Sequence, residues 1–337
     1  MTTEENTAGN TGLAKVAVQC LNQHLCFVSN AVLADSFVLR NRHLRQARNV
    51  MRQLKRQRNT NRQMNKILTT LLFIGLTSLT YGQKSKGPNF DIADFNKKME
   101  VAEWLYEYDM IAWRTSDSVM TQDKKDLARL GSDWFCFKKN DTWHAVYGKY
   151  ENNQFDLVFH FKVDNGQVSK TYETVDTTLL HRYSRALQTA SGQIKALKDT
   201  VNLRFNQYIK ENDDQTLSVW ILPAFQPNSV AVYGGEFIYT IDPTGTKVLK
   251  NDSYFQGQFR GFKVDNPREI WLNYRETDKP TLGAVFFAWY YKTYFTKIVI
   301  DNSKSISTPF KSDNSWTWIH AEKEPEKKKS KKKDKDE

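Results

Sequence analysis

Cysteine is almost missing from this chain. Its 337 residues hold three, Cys20, Cys26 and Cys136, and only Cys136 follows residue 83. One thiol cannot close an internal disulfide, so a domain beyond residue 83 must be held by its core. Cys136 stands in the string DWFCF, where a buried, inert thiol is expected rather than a nucleophile. The short catalytic strings are missing too. There is no HExxH, no paired CxxC, no GxxxxGK[ST], no GxGxxG and no GxSxG. Their absence removes the local signatures of zinc proteases, zinc ribbons, P-loop and dinucleotide-binding enzymes and α/β-hydrolases. Asp164-Asn165-Gly166 matches a fragment of a calcium loop but lacks its spaced oxygen ligands and closing Glu. Neither a metal nor a cofactor is expected. Long apolar runs are also missing: the run over residues 67–79 is shorter than the roughly twenty residues that span a bilayer.

That short run has a setting of its own. Residues 64–83 read MNKILTTLLFIGLTSLTYGQ: a positive start at Lys66, an apolar stretch, and a small residue, Gly82, before Gln83. This is the order of a secretory signal peptide over residues 64–82, with cleavage expected before Gln83. Met64 is then expected to be the initiator, and residues 1–63 an upstream, disordered extension. Those 63 residues carry ten Lys and Arg against three acids, and residues 41–63 have too few large apolar side chains to offset the entropy of ordering. Two other readings compete for them, a basic nucleic-acid-binding arm and an Arg-rich transit peptide.

The formal net charge of +11 belongs mostly to the ends. The extension accounts for +7, and residues 321–337 carry eight Lys against six acids, which leaves residues 83–320 close to neutral. That body has no electrostatic footprint for DNA or RNA. Residues 83–320 are expected to form a single domain, with 321–337 a solvated Lys-rich tail.

The hydrophobic pattern of the body changes period twice. Phe95, Met99, Ala102, Tyr106, Met110 and Trp113 recur at three and four, which predicts a helix over about 92–114, broken near Thr115-Ser116-Asp117. Residues 134–137, 143–150 and 155–163 alternate as strands, separated by Asn-containing turns, and Asp164-Asn165-Gly166 is a further hairpin turn. The third places Phe155, Leu157, Phe159, Phe161 and Val163 on a core face, with Asp156, His160 and Lys162 facing water. Leu180, Tyr183, Leu187, Ala190, Ile194 and Leu197 predict a second helix over about 178–199. Residues 217–222, 230–233, 237–241, 270–274, 284–291 and 294–300 read as strands, with a tight turn at Asp242-Pro243-Thr244-Gly245. The expected fold class is α+β: a mostly antiparallel sheet, or two adjoining sheets, covered by two amphipathic helices.

Few residues stand out for chemistry. Gly234-Gly235-Glu236-Phe237 matches part of the signature loop of diguanylate cyclases. It lacks their second adjacent acid, and a glycine turn between two strands is the better reading. Among His144, His160, His181 and His320 no spacing fits a metal motif. His144 shares strand parity with Val146 and Tyr150, and His160 with Asp156, so either could pair with a carboxylate as a general base. Asp109 borders an aromatic helix face and is a candidate buried acid. His144, His160 and Asp109 are thus the catalytic candidates, each against a plain structural role. All nine Trp follow residue 83; core packing outweighs sugar-stacking platforms for most of them.

The signal-peptide-like run, the Gln after its cleavage point and the Lys-rich end resemble exported proteins of Bacteroidota. The string WILPAF…VYGGEFIYTIDPTG likewise resembles strand–turn patterns in uncharacterised exported proteins of that group. The resemblance implies export and carries no functional residue. The expected function is a non-enzymatic binding or structural module of the periplasm, envelope or medium. Its partner would be a small ligand, glycan or envelope protein; no nucleic acid is expected, and no transmembrane span in the mature chain. The alternative is a hydrolase whose site assembles only in three dimensions. A cytoplasmic nucleic-acid binder is the third reading, if Met1 is the true start.

Overall fold

The structure is a computed structural model that describes residues 90–324. The expected extension, the signal peptide and most of the Lys-rich tail lie outside them. Helix α1 (Ile92–Met120) starts at Asp91, whose carboxylate accepts the Asp94 amide at 3.0 Å, a standard N-cap. It does not break at Thr115. That hydroxyl bonds back to the Ile111 carbonyl at 2.8 Å and contacts the Tyr147 hydroxyl at 2.7 Å, so the polar side chains are satisfied inside the helix and its last turn stays intact. The inward face is also rotated from the expected one. Phe95, Ala102, Leu105, Tyr108, Ile111 and Ala112 are buried, while Trp113 is exposed.

After a short helix, α2 (Lys124–Leu127), four strands form an antiparallel meander: β1 (Asp133–Lys139), β2 (Thr142–Glu151), β3 (Gln154–Asp164) and β4 (Gln167–Lys170). All three hairpins turn on two residues of positive φ: Asn140-Asp141, Asn152-Asn153 and Asn165-Gly166. Asn, Asp and Gly tolerate that region, and its twist matches that of the strands. Between β2 and β3 the register shifts at Tyr147/Gly148, leaving Val158 without a partner. This bulge reverses the parity of β3. Phe159, Phe161 and Val163 face a first core with Leu105, Tyr108 and Ile111 of α1. Phe155 faces a second core instead. The water-facing side expected for β3 is found only in part: Asp156 is exposed and Lys162 half-buried, but His160 is buried.

The second core includes Leu180, Tyr183, Ala186 and Ala190 of α3 (Thr177–Gln193), whose Tyr183 ring lies 5.2 Å from Phe135. The helix expected over 178–199 is interrupted at Ile194 and resumes as α4 (Lys195–Thr200). A second sheet follows, in the order β5 (Phe205–Glu211), β6 (Leu217–Pro223), β7 (Val230–Ile241), β8 (Val248–Asn251), with β9 (Tyr254–Lys263) also on β7. Its strands feed both cores. Tyr208, Trp220 and Leu222 lie in the first, and Ile209, Val219 and Ile221 in the second. The Asp242–Gly245 turn forms as expected, with the Gly245 amide donating to the Asp242 carbonyl at 2.9 Å. Burial acts to raise the Asp242 carboxyl. Hydrogen bonds from Thr244, Lys247 and Thr246 outweigh it and bring the group down to about 2.

The third sheet joins β10 (Glu269–Tyr274), β11 (Lys297–Asn302), β12 (Ser305–Ser312) and β13 (Ser315–Glu322). The strand expected over 284–291 is instead helix α5 (Leu282–Tyr290). Periodicity alone cannot separate a buried helix from a buried strand in an apolar run. Two features decide for helix: Thr281 caps the Ala284 amide at 3.3 Å, and β10 and β11 run parallel, which requires a crossover element between them. The expected tail also begins later than residue 321. Ala321 and Glu322 complete β13 opposite Ile306 and Ser305, and Lys323 pairs with the buried Asp301. The class is α+β, with mostly antiparallel sheets and a few helices.

Candidate functional site

Buried polar side chains are where this chain concentrates its unusual chemistry. Asp109 lies on the inward face of α1. One carboxylate oxygen accepts from Asn206 Nδ2 at 2.9 Å and the Tyr208 hydroxyl at 3.0 Å; the other accepts from the Tyr290 hydroxyl at 2.7 Å. Burial pushes its pKa up, and the three hydrogen bonds pull back. This one carboxylate therefore ties α1 to β5 and α5, an arrangement in which both oxygens are engaged by protein donors.

His144 and His160 come together across β2 and β3. Residues opposite each other are His144 with Lys162 and Val146 with His160, so the two imidazoles are diagonal neighbours on one face. His144 Nδ1 lies 2.8 Å from His160 Nε2, and His160 Nδ1 lies 3.1 Å from the Glu173 carbonyl. A carbonyl only accepts, so His160 carries its proton on Nδ1 and presents Nε2 as an acceptor. His144 must then donate from Nδ1. Phe137 stacks on His144 at 5.1 Å. Burial drives the His144 pKa down to about 4, aided by the proximity of His160, and burial also lowers His160. The bulge places Asp156 on the other face, so the expected His160–Asp156 sharing does not occur. Asp109 is not part of the histidine pair.

Two further groups have roles that the sequence pattern did not assign. Glu236, from the string GGEF, is buried at the start of α5. The Gly283 amide donates to its Oε2, with Thr281 and the Leu282 amide as further donors. A carboxylate at a helix N-terminus meets unpaired amides and the positive end of the dipole. Burial nonetheless raises its pKa to about 7. The expected glycine turn is absent: Gly234 and Gly235 sit within β7, at a register shift against β9. Gly234 has φ +111°, and a Cβ there would come within 2.5 Å of the Gln258 carbonyl oxygen. The signal that was available is Thr281 followed by an apolar run, a helix start that needs a cap. The second group is Lys292, just past α5, whose Nζ lies over three aromatic rings.

His320 is inward as well, with Nδ1 2.8 Å from the buried Ser307 hydroxyl. Its pKa falls to about 4 through burial. Among the described residues no three His, Cys, Asp or Glu side chains converge as a metal site, and no helix is long and apolar enough to cross a membrane. The fold thus defines an α+β protein of three sheets around internal polar networks. No protein family, curated protein or solved structure matches the chain.

Proposed function

We propose that this is an exported protein of the periplasm, envelope or medium whose body is a binding or structural module rather than an enzyme. The observation that carries the reading is the inward, mutually satisfied state of the candidate acid–base residues. His144 is 2% and Asp109 3% exposed, and each is committed to protein partners. A general base must reach the proton it removes, directly or through one water. The third sheet supports the binding half of the proposal. Trp271 lies opposite Val299, and Thr308 opposite Ile319. That parity puts Trp271, Phe310 and Ile319, all about half exposed, on one face, a surface suited to a small ligand, glycan or envelope protein.

Export rests on the layout of residues 64–83. The gene expressed with its native upstream region should yield a protein in the periplasm or medium whose N-terminal peptide mass starts at Gln83. A cytoplasmic protein starting at Met1 or Thr2 would overturn export and turn attention to the Arg-rich segment. One observation favours the hydrolase reading, the 2.8 Å contact between His144 and His160.

A further inference from the structure

Lys292 occupies the centre of an aromatic enclosure built from three distant parts of the chain. Its Nζ lies 3.8 Å from the Trp289 ring centre, 4.9 Å from Tyr106 and 5.8 Å from Trp316. Trp289 belongs to the last turn of α5, Tyr106 to α1 and Trp316 to β13. The walls are braced from behind. Tyr106 packs edge-on against Tyr290 at 5.6 Å, whose hydroxyl is fixed by Asp109, and Trp289 stacks on Trp318 at 6.5 Å. All three enclosing rings are only partly buried, so the enclosure meets solvent.

Few protein acceptors hold the resident cation in this enclosure. A lysine ammonium has three N–H donors, and Lys292 uses one, to the Trp289 carbonyl at 2.8 Å. Among the described residues no carboxylate stands within ion-pair distance of it. Burial lowers its pKa to about 8, with the Glu103 carboxylate acting in the opposite direction. A quaternary ammonium has the same charge without the N–H groups that need acceptors. Aromatic faces around a cation are the recognition chemistry of such groups. Glu103, exposed on α1 one turn before Tyr106, adds a favourable field at the entrance.

We propose that Trp289, Tyr106 and Trp316 form a binding site for a quaternary ammonium group, with Lys292 as a displaceable plug that occupies it in the unliganded protein. This rests on the binding-module reading and names the ligand class for it.

The probe is tetramethylammonium chloride titrated into the full chain, read by tryptophan fluorescence. Lys292→Ala and Lys292→Ser should bind at least about tenfold more tightly than wild type, since they remove the competing cation. Adding Trp316→Ala should abolish the response. Tert-butanol, similar in shape and uncharged, should bind at least about tenfold more weakly than tetramethylammonium. A second measurement uses wild type alone. Saturating tetramethylammonium should raise acetylation of Lys292 by acetic anhydride, read by peptide mass, because the displaced amine enters water. No response in folded Lys292 variants, an equal response to tert-butanol, or unchanged acetylation would overturn the site. These readouts use purified protein, so the site can fail while an N-terminus at Gln83 still stands.

Discussion

Glu236 and His144 are both pushed toward neutrality by burial, and their opposite charge types make them oppose each other in acid. Glu236 ionises at about 7 when folded, against an ordinary value of 4.5. Its neutral form is favoured by the fold, so its contribution is complete below pH 4.5 and is lost as pH rises through 7. That amounts to roughly 3 kcal/mol. His144 runs the other way, from 6.5 down to about 4. Its contribution is complete above pH 6.5 and is lost as pH falls toward 4. Wild type alone mixes the two, and single variants separate them. Glu236→Gln should gain up to roughly 3 kcal/mol over wild type between pH 4.5 and 7 in urea melts. His144→Gln should gain on wild type as pH falls from 6.5 to 4. Flat differences would refute the burial of either charge. Asp109 stood out in the sequence beside an aromatic helix face, and the two histidines by their strand parity. Their partners did not, because Asn206, Tyr208 and Tyr290 lie 97, 99 and 181 positions from Asp109 and nothing local encodes that meeting.

At the scale of the element, the hairpins were the most legible features. Asn140-Asp141, Asn152-Asn153 and Asn165-Gly166 are local turn chemistry, decided by residues that tolerate positive φ. Bulges and crossovers were not legible, because they arise from what lies on the neighbouring strand. The bulge at Val158 split the single apolar face expected for β3 between the two cores, and the pairing of β10 with β11 turned an apolar run into α5. The double glycine of β7 gives a direct test. Gly234→Ala would press a Cβ against the Gln258 carbonyl at positive φ, and should destabilise the protein by about 1–3 kcal/mol. The loss should concentrate where β9 pairs with β7, so β9 amides should show the largest increase in hydrogen exchange. Uniform exchange across the three sheets would contradict this account of the bulge.

At the scale of the whole molecule, the first and second sheets each stand between the two cores, and neighbouring residues of one strand supply different cores: Cys136 the first and Phe137 the second, Tyr208 the first and Ile209 the second. Loosening either core therefore exposes the back of strands that hold the other. The described body should unfold in one transition. Leu105→Ala in the first core and Ile221→Ala in the second should each lower the urea midpoint of that transition, by about 2–5 kcal/mol in stability. Two separable transitions, each moved by only one variant, would show independent cores.

The sequence by itself determined the α+β class, the three hairpin turns, the helix beginnings at Asp91 and near Thr177, and the near-neutral charge of the body. Each of these depends on residues adjacent in the chain or on simple sums over it. Tertiary structure alone decided that His160 of β3 is buried, that residues 282–290 are a helix, and that the Glu of GGEF caps it. It also decided that Lys292 lies among rings from α1, α5 and β13. Those outcomes depend on which distant surfaces meet, and burial then determines whether a carboxylate or an ammonium keeps its charge.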